Sequence, residues 1–285
     1  MNSVKFNLNG IIDLHVHSWP DIRKRAYTDF QLMEAGVKIG ARAIVIKSHH
    51  GTTMNRASLV NEHNKILHNG NNNLTVFGGI VLNYAVGGIN PVAVETALKL
   101  GAKIVWLPTI SAENHMKKYG KTGGISCIIN GEVIPELIEV LNLIKEYDVI
   151  LATGHLSPEE IFIVVKKAKE MGINKILINH PEFWVVGLTE EQQIELVKTY
   201  DVYLERCFAQ PLGNGIYKSN LKDNYNIIKK IGSKNIIVDT DGGQVENPNW
   251  EIAFEEYVTY LYNKGITIEE LDIMTKVNAA KLLGI

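Results

Sequence analysis

Cysteine is nearly absent: Cys127 and Cys207 are the only two in 285 residues. Two distant thiols make no disulfide framework, and with no Cys-x-x-Cys spacing the usual thiolate zinc and redox motifs are excluded. A reducing cytoplasm is the compartment this usage fits. Charge of one sign is also lacking. Lys and Arg number 29 against 31 Asp and Glu, a formal net charge of −2 with histidines neutral. That balance argues against nucleic acid or an acidic membrane surface as partner. Every apolar run is interrupted well short of the ~18–20 residues a membrane helix needs. Residues 1–10 lack a basic segment followed by an apolar run, so no signal peptide is expected. No linker or low-complexity tract divides the chain.

What is present is ample apolar material. The hydrophobic fraction is 46% and the charged fraction 21%, enough for a large core and unlike a disordered chain. Length alone suits either one α/β barrel of about 250 residues or two smaller domains. The pattern favours the barrel. Short β-branched runs at 11–17, 41–47, 74–82, 103–108, 149–155, 175–180, 202–207 and 235–241 read as eight strands. Amphipathic stretches at 28–40, 55–69, 90–101, 135–147, 158–172, 190–200, 221–232 and 250–264 read as their helices. A final helix is expected at 267–283.

Local signals agree. Ser157 before Pro158 marks a helix start, and Thr189 with Gln192 is a capping box. Gly101, Gly172 and Gly232 stand where helices should stop. The strands are continuous apolar runs, as in a parallel sheet buried on both faces. A doubly wound sheet is the competing architecture, but His15-Val16-His17-Ser18-Trp19-Pro20 is no glycine-rich phosphate loop. The expectation is therefore one (β/α)8 TIM barrel domain over residues 1–285, possibly distorted, with an extra C-terminal helix. Residues 110–133, after strand four, form an insertion expected to act as a lid, with a hairpin around Asn130-Gly131.

Metal-competent residues cluster at the C-terminal ends of these strands, the face where barrel active sites are built. Strand one ends in His15-Val16-His17, strand two in Lys47-Ser48-His49-His50 and strand five in His155. Strand six ends in His180, strand seven in Glu205-Arg206 and strand eight in Asp239-Thr240-Asp241. Residues i and i+2 of a strand share a side, so His15 and His17 can aim two imidazoles at one point. Neutral imidazole ligates zinc and similar metals well. Alone, a His-x-His is a weak motif; its weight comes from the histidines and acid that recur at later strand ends.

This ordered set resembles the amidohydrolase superfamily of metal-dependent hydrolases along nearly the whole chain. The tail Asn278-Ala279-Ala280-Lys281-Leu282-Leu283-Gly284 is similar to that superfamily's closing helix. The resemblance implies a distorted barrel with one or two divalent metals that activate a water. It makes His15, His17 and His155 metal ligands, and Asp241 both a ligand and the general base. His180 either binds a second metal or polarises the substrate. Zinc is the default ion, with manganese, iron or nickel as alternatives. Strand four ends in Trp106-Leu107-Pro108-Thr109, without the bridging lysine or glutamate of many two-metal members, and the site is read as holding one metal. Lys47 takes the bridging part, binds a substrate carboxylate or acts as a charge partner behind the ligands; His49 shares its parity and is placed to join it, and Glu205 on strand seven is also available.

The expected activity is hydrolysis of an amide, ester or lactone bond in a small, possibly anionic substrate. Arg23, Arg25, Lys47 and Arg206 are candidates for gripping the anion, though Arg206 is as well placed to pair with Glu205. The alternatives are decarboxylation or carbon–carbon bond hydrolysis on the same scaffold, and a non-catalytic metal-binding barrel. A phosphoesterase that begins with His-x-His ranks lower, because its expected Asp-x-His ending is here Asp239-Thr240-Asp241. His63 and His68 are read as helix-surface residues, His50 as a capping residue, and His115 as either a lid residue or plain loop. A homo-oligomer is compatible with the sequence.

Overall fold

The computed structural model describes residues 6–213 and 216–285. Residues 1–5 of the segment read for a signal peptide therefore lie outside the described residues. Eight strands form one sheet: β1 (Ile12–His17), β2 (Ala43–Lys47), β3 (Thr75–Val81), β4 (Ile104–Trp106), β5 (Ile150–Ala152), β6 (Ile176–Ile178), β7 (Tyr203–Cys207) and β8 (Ile236–Asp239). They neighbour one another in sequence order. The helices are α1 (Asp29–Ile39), α2 (Met54–Leu67), α3 (Pro91–Lys99), α4 (Glu113–Lys118), α5 (Pro135–Glu146) and α6 (Pro158–Glu170). They continue with α7 (Glu190–Tyr200), α8 (Leu221–Ile231), α9 (Trp250–Asn263), α10 (Ile268–Asp272) and α11 (Asn278–Leu283). No helix among the described residues is long and apolar enough to cross a membrane.

The chain packs as two units. One comprises residues 1–47, 55–77 and 206–285, the other residues 48–54 and 78–205. In the first, all six residues of β1 are buried. On one side β1 runs parallel to β2, pairing Ile12 with Ala43 and His17 with Lys47. On its other side it meets the end of β8. Leu14 N donates to Asp239 Oδ1 at 2.8 Å, and His17 N donates to Gly242 O at 2.9 Å. The first and last strands therefore lie side by side. With a parallel strand order that follows the sequence, this makes the fold a (β/α)8 barrel. On α9, Trp250, Phe254, Tyr257 and Leu261 are buried at its helical spacing.

The expected helix at 267–283 is interrupted. A π-helical turn, Ile273–Val277, separates α10 from α11. Thr275 Oγ1 donates to Leu271 O at 2.7 Å, a side-chain bond that competes with the helical ladder and loosens it locally.

In the second unit, β4 aligns Ile104 and Trp106 with Ile150 and Ala152 of β5. Leu177 and Ile178 of β6 pair with Tyr203 and Leu204 of β7. These pairs are parallel and their strands buried, which explains the uninterrupted apolar runs. The capping boxes at Ser157 and Thr189 are formed. The insertion holds the expected hairpin, Ile128–Ile129 against Glu132–Val133. It also holds α4, which the sequence does not announce: six residues are too few to show a helical period. Strands β5, β6 and β8 stop short of the expected 155, 180 and 241, so His155, His180 and Asp241 sit in turns beyond them.

Candidate metal centre

In the first unit the end of β1 and the turn after β8 build a three-donor cluster. His15 Nε2 and His17 Nε2 lie 3.1 and 3.2 Å from the same oxygen, Asp241 Oδ1. Two ligands at ~2.0–2.1 Å around a tetrahedral ion are about 3.3 Å apart, which both His–Asp241 pairs match, and all three donor atoms lie within 4.8 Å of one another. Asp241 has a φ of +48°, a left-handed conformation that aspartate tolerates better than most residues.

The supports are local. Thr240 Oγ1 donates to Asp13 Oδ2 at 2.6 Å and accepts from Gly242 N at 2.9 Å, which shapes the turn carrying Asp241. Trp250 Nε1 donates to Asp13 Oδ2 at 2.8 Å, and His15 N donates to Asp13 Oδ1 at 2.9 Å. Burial pushes the Asp13 pKa up to about 6 against these bonds. Asp239 has a different task from Asp241, since its Oδ1 accepts the Leu14 N–H.

Two of the three donors are in metal-binding ionisation states. Burial and the neighbouring Arg25 hold the His17 pKa well below its ordinary value, so the ring is neutral. Burial opposes ionisation of Asp241, but its interaction with His15 and the hydrogen bonds from both imidazoles outweigh it and hold the carboxyl well below its ordinary range. Neutral imidazole and ionised carboxylate are the forms that bind metal. Arg25 Nη2 stands 3.2 Å from His17 Nδ1 and 2.7 Å from Asp21 Oδ2. Lys47, fully buried on β2, places its Nζ 2.9 Å from His15 Nε2. Arg206 is also buried, but its Nε donates to Asn224 Oδ1 of α8 at 3.0 Å, toward the outer helices.

The second unit gathers the other candidates. Glu205 Oε2 accepts from His180 N and from Asn179 Nδ2, both at 3.0 Å. Asn179 Oδ1 in turn accepts from Gly154 N at 2.8 Å. One buried carboxylate and one amide thus lock the turn of His180, whose φ is +24°, to the turn of His155. The His155 ring is 5.1 Å from that of His180 and 5.9 Å from that of His49. His49 Nδ1 lies 2.8 Å from Thr109 Oγ1, and Asn83 Nδ2 donates to the same hydroxyl at 2.7 Å. His115 of α4 brings its Nδ1 to 2.8 Å from His155 Nδ1. Sequence reasoning left His115 open and passed over Asp13, Asn83 and Asn179. Asp13 and Asn179 carried a signal, being polar residues inside or directly after apolar strands.

A family model described as "Family of unknown function (DUF6282)" matches residues 10–205. No curated protein matches in sequence. Solved structures match in fold. An amidohydrolase from Pseudomonas aeruginosa aligns over 96% of this chain and 95% of its own, with 13% identity and a TM-score of 0.68. An organophosphorus hydrolase from Deinococcus radiodurans aligns over 98% and 93%, with 13% identity and a TM-score of 0.61. A 2,6-dihydroxybenzoate decarboxylase complexed with 2,6-dihydroxybenzoate aligns over 97% and 100%, with 12% identity and a TM-score of 0.52. At these identities the likeness is one of fold.

Proposed function

The chain belongs to the family described as of unknown function (DUF6282), and from that premise we propose that it is a metal-dependent hydrolase of amidohydrolase type, acting on a small substrate. The observation that carries this reading is the meeting of His15 Nε2 and His17 Nε2 on Asp241 Oδ1 at 3.1 and 3.2 Å. These residues would hold one divalent cation, with zinc suited to two imidazoles and a carboxylate. Such an ion, when bound, lowers the pKa of water toward ~7 and so makes it a nucleophile at neutral pH. Asp241 takes the proton of the attacking water and returns it to the leaving group. Asp13 fixes the backbone of His15 by accepting its N–H at 2.9 Å. In the second unit, His155 is proposed as a metal ligand and His180 as a group that polarises the substrate. Lys47, whose Nζ lies 2.9 Å from His15 Nε2, is the residue proposed to contact a substrate carboxylate.

Lys47 at this position also supports a second reading, decarboxylation of a carboxylated substrate, and one of the fold relatives is named as a decarboxylase. Elemental analysis of the purified protein, paired with turnover assays on Asp241→Asn, tests the proposal. The expected result is about one metal per chain in the wild type and a 10²- to 10⁴-fold loss of turnover in the variant. Carbon dioxide release from carboxylated substrates, without hydrolysis of amides, esters or lactones, would select the second reading. Bound metal with no turnover of either kind would leave a binding protein instead of an enzyme.

A further inference from the structure

Two successive residues of the insertion reach His155. Asn114 Nδ2 donates to the His155 carbonyl at 3.1 Å and to the Val185 carbonyl at 2.8 Å. His115 then sets its Nδ1 2.8 Å from His155 Nδ1. The two ring planes are nearly parallel, 21° apart, with centroids 4.9 Å from one another. The centroid separation exceeds the nitrogen separation by about a ring's width, so the rings meet edge to edge and not face to face. That is the geometry of an in-plane N–H···N hydrogen bond. His115 is itself braced. Its ring lies against Tyr119 at 4.8 Å, and Tyr119 lies against Trp184 at 5.2 Å.

Two facing Nδ1 atoms at this distance share one proton. A neutral imidazole that offers its Nε2 lone pair carries its proton on Nδ1. We propose that His115 is a positioning residue for His155: its Nδ1 accepts the His155 Nδ1 proton and so fixes the tautomer in which His155 Nε2 is the working nitrogen. His115 then carries its own proton on Nε2. Ligating histidines usually donate to a carboxylate or a carbonyl. Here the acceptor is a second imidazole, supplied by the insertion, so docking of that segment and readiness of His155 are one event. The inference rests on the metal-site reading for the choice of His155 as the donor, while the tautomer itself is measured on the protein alone.

Nitrogen-15 imidazole spectra of the full chain, recorded with chelator present, test the tautomer without any metal. The expected result is His155 protonated on Nδ1 and His115 on Nε2 in the wild type. His115→Phe, which keeps a ring against Tyr119 but removes the acceptor, should give a mixture of His155 tautomers. His115→Asn places an acceptor oxygen near the lost Nδ1 and should restore the single tautomer. Zinc titration of the same variants should show affinity about 10- to 100-fold lower for the Phe variant, with recovery in the Asn variant. A wild-type His155 protonated on Nε2, or a tautomer unmoved by His115→Phe, overturns the inference. A wild type that binds no zinc but shows the expected tautomers overturns the metal-site reading and leaves the positioning role standing.

Discussion

Gly243 is where the backbone that builds the three-donor cluster has the least room. Its φ is +90°, and a Cβ added there would lie 1.7 Å from the His17 carbonyl oxygen and 2.7 Å from its carbon. Neither partner yields easily. His17 N is bonded to Gly242 O, and Ala26 N is bonded to Gly243 O, both at 2.9 Å. Gly101 supplies the control, because its φ is +93° with nothing within 4 Å of an added Cβ. Gly101→Ala therefore isolates the conformational cost of a left-handed alanine, ~1–2 kcal/mol. Gly243→Ala adds a backbone overlap relieved only by moving the His17 peptide, for a total of roughly 3–5 kcal/mol. Unfolding entropy of ~2.1 cal/mol/K per residue makes each kcal/mol worth about 2 °C in a chain of this length. Thermal melts should show losses of about 2–4 °C for Gly101→Ala and about 6–10 °C for Gly243→Ala. The moved peptide belongs to a residue whose Nε2 must stay near Asp241, so Gly243→Ala should also lose bound metal while Gly101→Ala keeps it. Equal melting losses in the two variants, with metal retained in both, would show that the crossing of β1 and the Gly242-Gly243 turn does not set the cluster.

Two further predictions follow from buried polar groups. Trp250→Phe removes the indole N–H that bonds Asp13 Oδ2 at 2.8 Å. It should cost about 2–4 kcal/mol, because a buried carboxylate loses a charge-assisted bond and the ring shrinks; a chemical-denaturation midpoint equal to wild type would refute it. Burial and, secondarily, Lys121 lower the His115 pKa from 6.5 to about 4. The unfolded chain therefore binds the extra proton first. The contribution of His115 is complete above pH 6.5 and is lost as pH falls to about 4. The full linkage is ~3 kcal/mol, reduced by solvent at this partly exposed ring to roughly 1 kcal/mol. Melts of chelated protein across that window should flatten by this amount in His115→Phe, and an unchanged pH slope would count against the assignment.

What the sequence made legible and what it hid divide along one physical line, the reach of periodicity. His15 and His17 were readable because both lie inside β1, where a period of two sends their side chains to one point. Lys47 was readable for the same reason, at the end of β2 and in register with His17. The strand-end placing of His155, His180 and Asp241 followed from the strand–helix alternation, but their side-chain directions did not. Each lies past its strand, and two of the three have positive φ, set by turns whose geometry leaves no periodic trace. Parity alone treated Asp239 and Asp241 alike. The structure separates them by partner: one carboxylate accepts a backbone N–H of β1, the other meets two imidazoles. Glu205 and Arg206 show the converse. Neighbours on a strand point to opposite faces, so one holds the His180 turn and the other an outer helix. His115 stayed between lid residue and plain loop. Its helix is a single short run, and its partner is 40 residues away in sequence. A site assembled from strand positions is therefore visible in outline from sequence, while the residues that set its tautomers and charges come from turns and insertions, where only three-dimensional contact identifies them.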